Sequence, residues 1–174
     1  MQWNRQQIQE SPRQTMLRQM MTKPLAAKPR MTASDPRPCV LLVEAEPEQA
    51  AACTQLLERE GLKVVKATTR KEGLQVAEQE QPEVVVADVT LADGSAYELA
   101  MELKHVPALA QVPVVGMTES SASPEPAGAS SLLAAQLRKP VEPELLGKAI
   151  RDLLAQRVAK RVKQRRDRRF KIES

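Results

Sequence analysis

Short apolar runs recur along the middle of the chain, and two of them meet an acidic residue at their C-terminal end. Cys39–Val43 is followed by Glu44, and the run Glu83–Asp88 closes on its own acid. Continuous apolar runs of this length are typical of strands that are buried on both faces. Segments with helical periodicity separate the runs, so strand and helix alternate five times. This order predicts an α/β fold with a doubly wound, five-stranded parallel sheet and a long C-terminal helix.

The element boundaries follow from the apolar pattern and from helix start and stop signals. The predicted strands are Cys39–Val43, Leu62–Lys66, Glu83–Asp88, Val112–Thr118 and Ala135–Lys139. The predicted helices run from Pro47 to a stop at Gly61, from the capping box Thr69–Glu72 to about Gln79, from just after Ser95, and from Pro143 onward. Because aromatic residues are only 2% of the chain, Val, Leu, Ile and Ala must build the core.

The segment between the fourth and fifth predicted strands is less regular than the rest. Pro124, Pro126 and Gly128 lie within it, and each of these residues opposes a helix interior. The helix expected there is therefore predicted to be short or irregular.

Charge divides the chain into an acidic body between two basic ends. Residues 1–38 carry seven basic and two acidic groups (+5), residues 39–150 carry nine and seventeen (−8), and residues 151–174 carry ten and three (+7). A chain of 174 residues suits one domain with tails. We predict a disordered leader at 1–37, a globular domain at 38–156, and a basic C-terminal helical extension or tail at 157–174.

Several classes of protein are disfavoured by the composition. Cys39 and Cys53 lack the spacing of a zinc site or a disulfide framework, which favours a reducing, cytoplasmic setting. No apolar run approaches the length of about 20 residues that spans a bilayer, so we expect a soluble protein without a membrane contact. His105 is the only histidine, and we expect it to be an exposed residue near the end of the third helix.

Polar side chains follow the ends of four predicted strands. Glu44 and Glu46 come after the first strand, Asp88 ends the third, Thr118 ends the fourth, and Lys139 ends the fifth. The carboxyl ends of parallel strands meet at one edge of the sheet, so one pocket could hold all of them. Acids that hold Mg²⁺, a nucleophilic Asp, and donors for phosphoryl oxygens are what phosphoryl transfer onto a carboxylate requires.

These motifs resemble the receiver domain of two-component response regulators, over residues 39–155. The similarity includes the loop Asp88-Val-Thr-Leu-Ala-Asp-Gly-Ser95 and the pair Lys139-Pro140. The resemblance implies a flavodoxin-like receiver fold in which Asp88 takes a phosphoryl group from a kinase phosphohistidine. It also implies that Lys139 pairs with Asp88 and that Thr118 binds the phosphoryl group.

The same resemblance implies a Mg²⁺ site and a set of partners. Its ligands would be Glu44, Asp88 and the backbone carbonyl of Thr90, with Glu46 as a further candidate. The partners would be a sensor histidine kinase or phosphotransfer protein and a downstream protein. An enzyme with turnover is not expected, because such a pocket at most loads and hydrolyses its own acyl phosphate.

Two positions depart from the family pattern. Ala45 stands where the family has a metal-ligating acid, and Gln136 stands where it often has an aromatic side chain, three residues before Lys139. The loss of one carboxylate is expected to weaken Mg²⁺ binding. Two interpretations follow: a stand-alone receiver in a phosphorelay that accepts phosphate weakly on Asp88, or a pseudo-receiver that signals by protein contact without phosphorylation.

The basic C-terminal segment leaves a further alternative open. It could bind nucleic acid through phosphate contacts, bind an acidic partner, or serve as a solubilising end. The alternative function is therefore a nucleic-acid-associated protein that binds through its basic tails. No helix-turn-helix pattern follows the receiver-like region, so sequence-specific DNA recognition is not expected.

Overall fold

The computed structural model describes residues 37–119 and 131–172. Its seven described strands are β1 (Cys39–Val43), β2 (Lys63–Ala67), β3 (Val84–Asp88), β4 (Thr90–Leu91), β5 (Gly94–Ser95), β6 (Val114–Thr118) and β7 (Ala135–Arg138). Its four described helices are α1 (Pro47–Arg59), α2 (Arg70–Glu80), α3 (Ala96–His105) and α4 (Pro143–Ile172).

Five of these strands form one parallel sheet in the order β2-β1-β3-β6-β7. The central strand pairs are in close register, with Val40 opposite both Val64 of β2 and Val84 of β3. Helices cover both faces of the sheet. The predicted doubly wound α/β fold of receiver type, with its long C-terminal helix, is confirmed.

The two faces of the sheet have separate apolar cores, since successive side chains of a strand point to opposite faces. Leu41 and Val85 lie on the face that α2 and α3 cover, where Leu99 and Leu103 are buried. The other face is covered by α1 and α4. Its buried members are Val40, Leu42, Leu57, Leu62, Val84, Val86, Val115, Met117, Leu146 and Ile150. The core is aliphatic, apart from Tyr97.

Helix starts agree with the capping signals in the sequence. The Thr69 hydroxyl accepts a hydrogen bond from the Glu72 N–H at 3.2 Å, and the Glu72 carboxylate accepts one from the Thr68 N–H at 2.7 Å. Ser95 caps α3 in the same way, with its hydroxyl accepting from the Glu98 N–H. Each cap satisfies an amide that has no partner inside the helix.

The fourth strand of the sheet begins two residues later than predicted. The Val112 N–H donates to the Leu109 carbonyl at 2.8 Å, so Val112 closes a turn rather than joining the sheet. Pro113 has no N–H to donate, although its carbonyl accepts from Val85. The short antiparallel pair β4-β5 was not predicted. It lies within the loop between β3 and α3.

Two predictions concern segments that lie mostly outside the described residues. The disordered leader was predicted at 1–37, of which only residue 37 is described. The short or irregular helix was predicted between Glu119 and Ala134, and residues 120–130 of that span lie outside the described part.

Helix α4 runs without a break past position 157, where the predicted basic segment begins. Its first half packs on the sheet through Leu146 and Ile150, which are fully buried. Beyond Arg157 the described side chains are exposed, including Val158 and Val162. We call residues 157–172 the helical extension. Within the described ranges, no helix is long and apolar enough to cross a membrane.

Candidate functional site

The sheet brings four of the predicted site residues to one edge. Glu44 follows β1, Asp88 ends β3, Thr118 ends β6, and Lys139 follows β7. Backbone hydrogen bonds hold these strand ends together, because the Lys139 N–H donates to the Thr118 carbonyl at 2.7 Å. The Val89 N–H next to Asp88 donates to Met117 in the same way. The position of each site residue therefore follows from the register of the sheet.

Lys139 connects two carboxylates at this edge. Its Nζ donates to Glu44 Oε2 at 2.8 Å and to Asp88 Oδ2 at 2.5 Å. The exposed fractions of the side chains are 8% for Lys139, 2% for Glu44 and 16% for Asp88. Burial by itself lowers the pKa of Lys139, yet its hydrogen bonds to Asp88 and Glu44 hold that pKa above its ordinary value. The ammonium therefore stays charged between the two acids.

The other oxygen of each carboxylate is held by a backbone amide. Glu44 Oε1 accepts from the Glu46 N–H at 3.0 Å, and Asp88 Oδ1 accepts from the Thr90 N–H at 3.0 Å. Both acids thus have a hydrogen-bond donor at each oxygen. Asp88 is oriented by its own loop on one side and by Lys139 on the other.

The donor set for a divalent cation is incomplete. Ala45 is exposed and contributes no side-chain oxygen, and the Glu46 side chain is also exposed. In residues 37–119 and 131–172, no group of three His, Cys, Asp or Glu side chains is arranged to hold a metal ion. Mg²⁺ demands close octahedral ligation by oxygen. The described side chains therefore do not fit a complete Mg²⁺ site.

A contact near the site was not predicted from the sequence. Gln136 of β7 donates through Nε2 to the hydroxyl of Tyr97, a buried residue at the start of α3. Tyr97 is the only tyrosine of the chain. A lone buried tyrosine needs a partner for its hydroxyl, and this is the one signal in the sequence that could have found the contact. Gln136 thus connects β7 to α3.

The loop after Asp88 is also joined to α2. The Asp93 carboxylate accepts from the Arg70 N–H at 2.7 Å and from the Lys71 N–H at 3.0 Å, at the first turn of that helix. Arg70 Nε donates back to the Asp93 carbonyl at 3.1 Å, and the Arg70 guanidinium also pairs with Glu102. The loop after Asp88 is therefore fastened to α2, and Arg70 joins that helix to α3.

The single histidine and one cysteine lie outside this hydrogen-bonded set. His105 is exposed at the end of α3, with Nδ1 against the Met101 carbonyl at 2.8 Å. Cys53 is half-buried on α1 and packs against the core. It lines a groove with Met117 and Lys139, and burial raises the pKa of its thiol. A protonated thiol is a poor nucleophile, as expected for a packing residue.

Comparison with known proteins gives one family. The family model described as "Response regulator receiver domain" matches residues 40–151, more than half of the chain. Protein PilH of Pseudomonas aeruginosa is 28% identical over 117 residues, which cover 67% of this chain and 97% of that protein. The similarity therefore extends over almost the whole length of this relative.

Solved structures share the fold. A response regulator receiver domain protein from Clostridium thermocellum has a TM-score of 0.64 at 22% identity, covering 70% of this chain and 98% of that one. The receiver domain of the sensor histidine kinase PA1611 from Pseudomonas aeruginosa has a TM-score of 0.63 at 18% identity, covering 68% and 98%. That structure has a magnesium ion coordinated in its active site cleft. With the match over residues 40–151, the chain belongs to the response regulator receiver domain family.

Proposed function

We propose that this receiver domain signals by contact with other proteins, as a pseudo-receiver that does not depend on phosphorylation of Asp88. Receiver domains are signalling modules that act with histidine kinases or phosphotransfer proteins and with downstream proteins. The observation that carries the proposal is Ala45, which leaves the strand-end pocket without one acid. A sensor histidine kinase or phosphotransfer protein and a downstream protein are the partners we infer for this chain.

In this proposal the pocket keeps the family's residue types at three positions, but its charges are balanced differently. Asp88 holds the phosphoacceptor position, Lys139 is the cation that pairs with it, and Thr118 is the hydroxyl that would contact a phosphoryl group. Lys139 contacts both Asp88 and Glu44, so its ammonium offsets part of the negative charge of the two carboxylates. A pocket stabilised in this way depends less on a metal ion to offset its negative charge.

We further infer that Mg²⁺ binds this pocket weakly. The family resemblance and the magnesium ion in the PA1611 receiver make Mg²⁺ the expected ion. The ligands available here are Asp88, the Thr90 backbone carbonyl and Glu44, with Glu46 as an exposed further candidate. Without an acid at position 45, this set lacks one carboxylate, and each missing oxygen ligand lowers the affinity of a small hard ion.

The output would be a protein contact made by the face of the receiver or by the helical extension. The extension presents exposed basic side chains from Lys160 to Arg168, which suits an acidic partner surface. No finding above favours the alternative of a nucleic-acid-associated protein.

A phosphoryl mimic tests the proposal directly. Beryllofluoride is added with Mg²⁺ to the isotope-labelled chain, and the backbone chemical shifts of Thr90 and Thr118 are followed. At a fixed Mg²⁺ concentration, we expect beryllofluoride to cause no saturable change at either amide beyond that caused by Mg²⁺ alone. A saturable shift of both amides would show that the pocket still accepts a phosphoryl group, and it would contradict the pseudo-receiver proposal.

A further inference from the structure

A small cleft with basic walls lies between α4 and the segment that leads into β6. Ala108 and Gln111 line it on one side, and Leu153, Arg157 and Lys160 line it on the other. Its volume is about 240 Å³. The cleft therefore combines an apolar floor with cationic side chains at the start of the helical extension.

Arg157, which lines this cleft, has one side-chain N–H without a hydrogen-bond acceptor. Its Nη1 donates to the Gln111 carbonyl at 2.7 Å, but its Nε is buried and has no hydrogen-bond partner among the described residues. A buried N–H without an acceptor is unfavourable, so an acceptor that enters the cleft is stabilised there. Burial lowers the pKa of Arg157, and the neighbouring Arg161 lowers it further.

Positive charge in the cleft is poorly balanced. Arg161 also lines it and pairs with Glu83 only at 3.8 Å. In the part of the chain that the structure describes, no ion pair includes Arg157 or Lys160. Three cationic side chains thus face one weakly placed carboxylate. An anion would relieve their mutual repulsion.

Size and donor geometry indicate which anion fits. Guanidinium groups bind phosphate through paired N–H donors, and a lysine adds a further charge. The cleft is smaller than the pockets of about 300 to 1,000 Å³ that hold drug-sized ligands. A single phosphate group, with room for a small attached moiety on Ala108 and Leu153, matches these limits.

We propose that this cleft binds a phosphate group, carried by free inorganic phosphate or by a small phosphorylated molecule, between Arg157, Lys160 and Arg161. The site is separate from the strand-end pocket. Gln111 precedes β6, whereas Thr118 ends it, and a strand of that length spans about 17 Å. The two sites therefore lie at opposite edges of the sheet, and this proposal does not rest on the pseudo-receiver proposal.

The test is a titration of the full isotope-labelled chain with inorganic phosphate and, separately, with glycerol 3-phosphate. Ionic strength is held constant with chloride, because screening alone would otherwise shift basic groups. We expect saturable shifts of the Gln111 and Arg157 amides. Equal or weaker binding of glycerol 3-phosphate identifies free phosphate as the ligand, and its tighter binding identifies a phosphorylated organic molecule. The absence of saturable shifts with both would overturn the proposal.

Variants distinguish a specific phosphate site from general electrostatic attraction to a basic helix. Arg157→Gln is expected to weaken binding about tenfold, the effect of losing one charged hydrogen bond. Lys160→Gln, at an exposed position, should also weaken binding, and it keeps the test valid if Arg157→Gln does not fold. Arg168→Gln removes the same charge from the extension outside the cleft and should leave the affinity unchanged. An equal loss in Arg168→Gln would refute a specific site.

Discussion

Lys139 Nζ lies 2.5 Å from Asp88 Oδ2 and 2.8 Å from Glu44 Oε2, so a single ammonium joins the ends of β1, β3 and β7. Lys139→Met keeps much of the side-chain volume but leaves both carboxylates without their cation. We expect the free energy of unfolding to fall by about 1 to 3 kcal/mol, because a buried charge loses its partner. Urea denaturation at neutral pH measures this change.

A matched control is Lys148→Met, since Lys148 forms an exposed pair with Asp152 on α4. Exposed pairs contribute little, so this variant should change stability by less than about 0.5 kcal/mol. Equal losses in the two variants would mean that Lys139 does not stabilise the pocket through its charge.

The contact between Gln136 and Tyr97 gives a second prediction. Tyr97→Phe removes only the hydroxyl, which is buried at the start of α3 and accepts from Gln136. We expect a loss of about 1 kcal/mol, the usual net contribution of a hydrogen bond. In a double-mutant cycle with Gln136→Ala, the two losses should not add, since both variants remove the same contact. Strict additivity would contradict the contact.

The Asp93 cap on α2 makes stability depend on pH. Hydrogen bonds from the Lys71 N–H and the Arg70 N–H lower the pKa of Asp93 below its ordinary value. Because the folded pKa is depressed, the stabilisation is present above the unfolded pKa of about 3.9 and is lost as pH falls through the folded pKa. Unfolding free energies measured from about pH 6 down to about pH 2 should therefore fall less steeply in Asp93→Asn than in the wild type.

Asp152→Asn serves as the control for that experiment, because it removes an exposed carboxylate from α4. Its pH dependence should match that of the wild type. If Asp93→Asn also matches the wild type, the carboxylate does not cap α2 in solution.

The fold and much of the pocket could be predicted from the sequence because both follow from local pattern. Apolar runs that end in acids place Glu44 and Asp88 at strand ends, and a parallel order brings strand ends to one edge. The late start of β6 was missed because it depends on a turn that closes at Val112. The residues of this turn are as apolar as those of a strand. The hydrophobic pattern alone cannot distinguish the two.

Side-chain contacts between distant segments were harder to predict. Gln136 and Tyr97 are 39 residues apart, and Arg70 and Asp93 are 23 residues apart. Their contacts depend on how α3 and the loop after Asp88 pack against their neighbours. No short motif encodes such packing. The cleft at Arg157 was missed for the same reason, since it forms only where α4 passes the loop before β6.

A comparison of Mg²⁺ affinity between the wild type and Ala45→Asp tests most directly whether Ala45 weakens the metal site. Amide shifts of Thr90 report binding, and Ala51→Asp supplies a control that adds the same charge at an exposed position on α1. We expect Ala45→Asp to bind Mg²⁺ at least about tenfold more tightly than the wild type and the control, since it restores a carboxylate ligand. Equal affinity in all three proteins would contradict the claim that Ala45 weakens the metal site.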